Sequence, residues 1–305
     1  MLFNHFTQLQ HIAKLSLAEQ IKQYQLFAEG MRIQQMLANH TYYTPAGGGN
    51  PFTPIGLFAG GEKGVWFDGS DTTSMFQDVA GTIPVTAVGQ SVAKWLDKSG
   101  NGFHATQSAA ASRPTYQVDP DGKGHLLFDA TNDQLATLPI NFSGTAQMYV
   151  GMGINVVVSA SAAVAMELGA DVNSVNGSFL IGAPGATTDH SIYLRGSDTI
   201  RAAINNISDG DDLITGILDI SQATKEAELI PRLNKTLITS PNITWSLSAN
   251  AGTGSFGTLP LFIGARSGLA NPFGGKIYQI VVRGAGTTNE QLYNTEWFIG
   301  NRIGE

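Results

Sequence analysis

Apolar and polar positions alternate along this chain with two different periods. Between Asn4 and Ala38 there is no proline and one glycine, Gly30. Leu17, Ile21, Tyr24, Ala28 and Met31 recur there in steps of four and three, the repeat of one helical face. Ser16 stands three residues before Glu19, which predicts a capping box at the start of that helix. Leu26, Phe27, Ile33, Met36 and Leu37 widen the stripe, so the helix is expected to pack on a large surface of its own chain or of a neighbour.

From Gly64 onward the pattern changes to short apolar or alternating runs. The predicted strands are Val65 to Phe67, Lys94 to Leu96, His125 to Phe128, Ala146 to Val158, Ala163 to Leu168 and Ser178 to Gly182. They continue with Ser191 to Leu194, Ile200 to Ile204, Leu213 to Ile220, Lys225 to Ile238, Leu259 to Ile263 and Lys276 to Val282. Turn dipeptides such as Asp121-Gly122, Asn176-Gly177 and Asp209-Gly210 separate them. Roughly a dozen strands without intervening helices predict two packed antiparallel sheets. At the end of the chain Thr288 or Asn289 can cap a short helix reaching Arg302, with Leu292, Phe298 and Ile299 apolar and Trp297 beside them.

Between the two patterns, Thr41 to Gly61 holds Pro45, Gly47, Gly48, Gly49, Pro51, Pro54, Gly60 and Gly61, a density that excludes helix and central strand. The expected organisation is therefore a helical segment over residues 1–40, a glycine- and proline-rich arm over 41–63, and one β domain over 64–305.

Composition narrows the function classes. Net charge is -7 and no basic run occurs, which argues against nucleic acid as a partner. Cysteine is absent, removing disulfide frameworks, thiolate nucleophiles and Cys-type zinc sites. The best apolar run, Met148 to Val158, is short, glycine-broken and β-branched, so no membrane span is expected. The first residues lack the apolar core and cleavage site of a secretory signal peptide, and synthesis in a host cytoplasm is expected.

One ordered string of motifs carries a resemblance. It runs Gly64-Val65-Trp66-Phe67-Asp68, Phe76-Gln77-Asp78, Pro84-Val85-Thr86, Trp95-Leu96-Asp97-Lys98-Ser99-Gly100-Asn101-Gly102 and His104-Ala105-Thr106-Gln107. Arg113-Pro114-Thr115-Tyr116, Leu127-Phe128-Asp129 and Asn132-Asp133 follow, then Pro260 to Arg266, Gly274 to Gly284 and the closing Glu296 to Gly304. The string resembles concanavalin A-like, laminin-G-like domains of bacteriophage structural proteins, and it covers roughly Gly64 to Glu305. The resemblance implies a mainly β fold, a concanavalin A-like antiparallel β-sandwich or jelly roll. Fold alone leaves the function open.

Candidate chemistry is sparse. Retaining glycosidases need two carboxylates about 5 Å apart. Glu226 and Glu228 alternate on a predicted strand, but beside Lys225 and Arg232 they read as the solvent face of a hairpin turning at Asn234-Lys235. The six histidines show no metal-ligand spacing, and His104 reads as a loop hydrogen-bonding or packing residue. Asp68, Asp71, Asp97, Asn101, Asp129 and Asp133 are weak calcium candidates, because short loops rich in oxygen ligands suit that ion. The competing reading has these side chains closing their own turns. Trp66, Trp95 and Trp297 are expected in the core.

The expected function is thus a non-enzymatic phage virion protein: a tail fibre, baseplate or spike component that presents a lectin-like sandwich for host adhesion. Its partners are expected to be other virion proteins, reached through the N-terminal helix and arm, a host surface glycan, and further copies of itself. A capsid decoration or head-fibre protein and, more remotely, a glycan depolymerase are the alternatives.

Overall fold

The computed structural model describes residues 52–156, 163–184, 189–205 and 210–304, all within the compact unit Phe52–Glu305. The predicted helix over 1–40 and residues 41–51 of the predicted arm lie outside the described residues.

Twenty strands occur among the described residues. The first ten are β1 (Gly64–Asp68), β2 (Met75–Phe76), β3 (Lys94–Trp95), β4 (Ala105–Thr106), β5 (Thr115–Val118), β6 (Gly124–Asp129), β7 (Leu135–Ala136), β8 (Ile140–Asn141), β9 (Gln147–Val156) and β10 (Ala163–Leu168). The others are β11 (Ser178–Ala183), β12 (His190–Arg195), β13 (Thr199–Ile204), β14 (Asp211–Asp219), β15 (Leu229–Leu233), β16 (Thr236–Leu237), β17 (Ile243–Leu247), β18 (Thr258–Leu259), β19 (Leu261–Ile263) and β20 (Gly274–Arg283). Two helices join them, the single turn α1 (Lys225–Glu228) and the terminal α2 (Asn289–Ile303).

An eight-stranded sheet runs β16-β15-β14-β9-β20-β6-β5, with β1 also on β20. β20 serves two partners in turn: its start pairs with β6 and its end with β1. A register shift against β9 between Ile277 and Gln279 marks the change. A ten-stranded sheet runs β17-β13-β12-β11-β10-β19-β7-β4-β3-β2, and β18 pairs with β8 alone. All pairings are antiparallel.

The sequence dictates this sandwich through its alternation, since every second residue of a strand faces the same way. Val150, Met152 and Ile154 of β9, Ile214 and Leu218 of β14, and Ile280 and Val282 of β20 point inward from the first sheet. They meet Phe179 and Ile181 of β11, Ile192 and Leu194 of β12, and Ile200 and Ala202 of β13. The chain is therefore the antiparallel β-sandwich expected, closed by a C-terminal helix.

The first sheet is apolar on its outer face as well. Trp66, Tyr149, Leu213, Tyr278 and Val281 form a second cluster with Leu292, Phe298, Ile299 and Ile303 of α2. Gly153 permits the close approach, since a Cβ there would lie 2.8 Å from the Ile303 side chain. Thr288 caps α2 by accepting from the Gln291 amide, and the Gln291 side chain accepts from the Thr288 amide in return. Beneath the helix Arg232 grips Glu296 through both carboxylate oxygens, at 2.7 and 2.9 Å, with Glu296 fully buried.

Residues Phe52 to Lys63, read from sequence as part of the arm, belong to this layer. Pro54–Phe58 forms a 3-10 turn, Leu57 and Phe58 join the cluster under α2, and Arg283 donates to the Leu57 carbonyl at 2.7 Å.

Two expectations are corrected. Glu226 and Glu228 do not share a strand; they lie on α1, and Glu228 is fully buried, its Oε2 accepting from the Ala251 amide at 2.7 Å. Lys-Glu-Ala-Glu consists of good helix formers, so the alternation of acids was not a strand signal. Trp297 is 56% exposed, because the buried stripe of α2 passes through Leu292, Glu296, Ile299 and Ile303 and position 297 falls outside it. Trp66 and Trp95 are buried as expected.

Candidate functional site

The loop residues singled out as calcium candidates close their own turns. Asp97 accepts from the amides of Trp66, Ser99 and Phe103, at 3.0, 2.8 and 3.1 Å. Asn101 donates to the carbonyls of Glu62 and Gly64. Asp68 accepts from Ser70 and, like Asp71, from Lys98, which lies 3.0 Å from one and 2.6 Å from the other. Gln279 adds a further bond to Asp68. Asp129 accepts from the Thr131 and Asn132 amides, while Asp133 accepts from the Asp129 amide at 3.1 Å. Burial, with the charge of Asp129 behind it, raises the Asp133 carboxyl to about 6. His104 accepts from the Asp97 amide at 3.1 Å, a loop hydrogen bond. These carboxylates are occupied by amides, hydroxyls and a lysine, and the three loops do not pool them.

A different surface gathers polar side chains without consuming them in turns. It is the outer face of the ten-stranded sheet, opposite the core and away from α2, which packs on β9, β14 and β20 of the first sheet. On β11, β12, β13 and β17 the registers Gly182↔Ser191, Ser191↔Ala203 and Ala203↔Thr244 set four small residues in one row. The neighbouring row runs Leu180↔Tyr193, Tyr193↔Arg201 and Arg201↔Ser246. Three strand spacings make each row about 14 Å long. Gly182, Ser191 and Ala203 of the first row are buried and Thr244 is exposed, while Tyr193, Arg201 and Ser246 of the second row are partly exposed.

Arg201 is held in place from two sides. Its guanidinium sits over the Tyr193 ring, 5.6 Å from the centroid, and its Nε and Nη2 donate to Ser191 Oγ at 3.1 and 2.8 Å. Tyr193 in turn packs on Val164, Val172 and Leu180, because the loop after β10 folds over the sheet at Val172. That loop is anchored by Glu167, which accepts from the Val172 amide at 2.7 Å and from Arg266 at 2.9 Å. Burial pushes the Glu167 carboxyl up, against the pull of those partners. Arg266 also reaches Asp171 at 3.2 Å. Arg195 extends the same face, donating to Asn176 and to Thr199 Oγ1 at 3.0 and 2.6 Å.

Sequence reasoning found β11, β12 and β13 of this face, missed β17, and singled out none of the residues of the face. The signal was present as Ser191, Tyr193 and Arg195 alternating with Ile192 and Leu194, and as Arg201 between Ile200 and Ala202.

No family model matches this chain, and no curated protein matches it. Solved structures do. The receptor-binding domain of botulinum neurotoxin D is similar at a TM-score of 0.50 and 8% identity, covering 78% of this chain and 52% of that one. Domain 4 of AbnA, an extracellular arabinanase from Geobacillus stearothermophilus solved with arabinotriose, is similar at 0.49 and 10%, covering 79% of this chain and 98% of that one. This chain thus spans about half of the neurotoxin structure it matches. At such low identity the likeness to the neurotoxin domain shows the fold alone, a β-sandwich.

Proposed function

We propose that this chain is a non-enzymatic adhesion protein of a bacteriophage particle, whose sandwich binds a host surface glycan on the outer face of the ten-stranded sheet at Arg201. The observation that carries the binding site is the partly exposed guanidinium fixed between Tyr193 and Ser191. A few convergent polar groups orient a bound sugar, and this face supplies guanidinium donors beside the exposed Thr244 and partly exposed Ser246. A neighbour of the same fold is described as a receptor-binding domain, which is a precedent for the scaffold and not for these residues. The motif string from Gly64 to Gly304 supports the virion assignment, in a tail fibre, baseplate or spike, with a capsid decoration as the alternative. Attachment through the N-terminal segment, and presentation as symmetric copies, belong to the same reading.

The best-placed acid pair favours binding over hydrolysis. Asp119 and Asp211 meet at the Tyr278 hydroxyl, at 2.7 and 2.9 Å. Lys276 neutralises Asp119 at 2.6 Å, and Lys123 lies 3.6 Å from Asp211 while capping the end of α2 at the Ile303 carbonyl. This network fastens the helix to the first sheet, away from Arg201.

A glycan array probed with the full chain tests the adhesion reading. Binding is expected, with no release of reducing ends from host polysaccharide. Release of reducing ends would overturn the non-enzymatic assignment. Absence of the chain from purified particles by mass spectrometry would overturn the virion assignment.

A further inference from the structure

Four of the described arginines are held by carboxylates or carbonyls of the fold, and Arg302, on α2, lies over the Phe298 ring. Arg232 pairs with Glu296 at 2.7 Å, Arg266 with Glu167 at 2.9 Å and Arg283 with Glu62 at 2.7 Å. Arg113 is occupied by the carbonyls of Gln77, Gln107 and Ser108. Arg201 and Arg195 are different. Among the described residues neither has a carboxylate within ion-pair distance, although Asp198 feels the charge of Arg195. Each is instead steadied by neutral oxygens: Ser191 for Arg201, Asn176 and Thr199 for Arg195.

This arrangement stands out in a chain with 24 acidic and 17 basic residues. A guanidinium on an acidic protein would gain from an acid across the strand. The positions opposite Arg201 hold Tyr193 and Ser246 instead. Ser191, itself buried, takes two bonds from Arg201 and fixes the guanidinium without neutralising it. Nη1 of Arg201 has no hydrogen-bond partner among the described residues, and its donors form part of the fork that matches planar anions. Arg195 and Arg201 are diagonal neighbours through the Arg195↔Thr199 and Tyr193↔Arg201 registers, which places their backbones about 7–8 Å apart.

We infer that the partly exposed Arg201 and Arg195 take an anionic sugar on this face, carboxylated or sulfated, with Arg201 gripping the acid group and Arg195 reinforcing the field. This inference rests on the glycan-binding reading and adds the charge class of the ligand. Tyr193 is a positioning residue: its ring carries the guanidinium plane.

The test uses the full chain on an array printed with matched neutral, uronic acid- or sialic acid-bearing, and sulfated oligosaccharides, before and after Arg201→Gln. Glutamine keeps a donor toward Ser191, so the melting temperature is expected to hold, and Arg195→Gln provides a second variant if it does not. The expected result is binding confined to the anionic members and weakened by salt, with Arg201→Gln lowering that affinity about tenfold or more. Preference for carboxylated over sulfated members, or the reverse, identifies the acid group. Equal binding of neutral and anionic members overturns the charge assignment while leaving the glycan reading standing. Anionic binding that survives both substitutions overturns the site. An array with no bound member overturns the glycan reading itself.

Discussion

The two sheets of this sandwich share one core but treat their outer faces in opposite ways. Outside the first sheet, Trp66, Tyr149, Leu213, Tyr278 and Val281 are apolar or aromatic and are covered by α2 and the Leu57–Phe58 turn. Outside the second, Tyr193, Arg195, Arg201, Thr244 and Ser246 alternate with core residues and are partly or fully exposed, Ser191 is buried, and the loop after β10 covers the apolar patch at Val164 and Leu180. A sheet apolar on both faces must recruit a third layer to keep its outer side from water. A mostly polar face needs cover only over its apolar patch, and its exposed side chains carry the recognition proposed above.

Substitutions can break this division, beginning where the effect is largest. Arg232→Ala leaves Glu296 buried and unpaired beneath α2, and urea denaturation should show a loss of about 3–5 kcal/mol. Ile299→Ala opens a cavity between the helix and the first sheet and is expected to cost about 2–4 kcal/mol in the same experiment.

A pH series separates a buried acid from this ranking of contacts. Asp133 titrates near 6 in the fold because burial penalises its charge. Its folded value lies above the unfolded one, so its protonated form favours the fold. Stability contributed by that proton is complete below about pH 4 and is lost as pH rises to about 6. Asp133→Asn should consequently match the wild type near pH 4 and exceed it above pH 6, by less than about 3 kcal/mol. A difference that grows toward acid instead would refute the assignment.

Smaller effects sharpen the contrast. Thr288→Ala removes one half of the capping box and should lower stability by about 1 kcal/mol. Arg201→Gln, on the polar face, should change stability by less than about 0.5 kcal/mol while weakening glycan binding as described above. A large loss of stability from Arg201→Gln would show that the face is structural.

Legibility in sequence followed the strength of local signals. Ala163–Leu168 was read with its observed bounds, and the Thr288 cap was readable because a threonine three residues before Gln291 is a local motif. β17 was missed, since Ile243-Thr244-Trp245-Ser246-Leu247 is short and has no turn dipeptide beside it. The two-residue strands of the second sheet were mostly missed too, because so few residues carry no period. The Arg201 face was invisible: its members come from four strands, and only pairing brings Leu180, Tyr193, Arg201 and Ser246 into a row.

Alternation with a period of two, interrupted by glycine and asparagine turns, was enough to determine a sandwich and its turns, and a cap residue with apolar helical positions its closing helix, because those depend on which way each residue faces its nearest neighbours. Tertiary structure alone decided which outer face would be covered, that Glu228 and Glu296 would be buried while Trp297 stayed exposed, and that Arg201 would lie on Tyr193. Those outcomes depend on register and on packing between strands far apart in the chain, which no local pattern encodes.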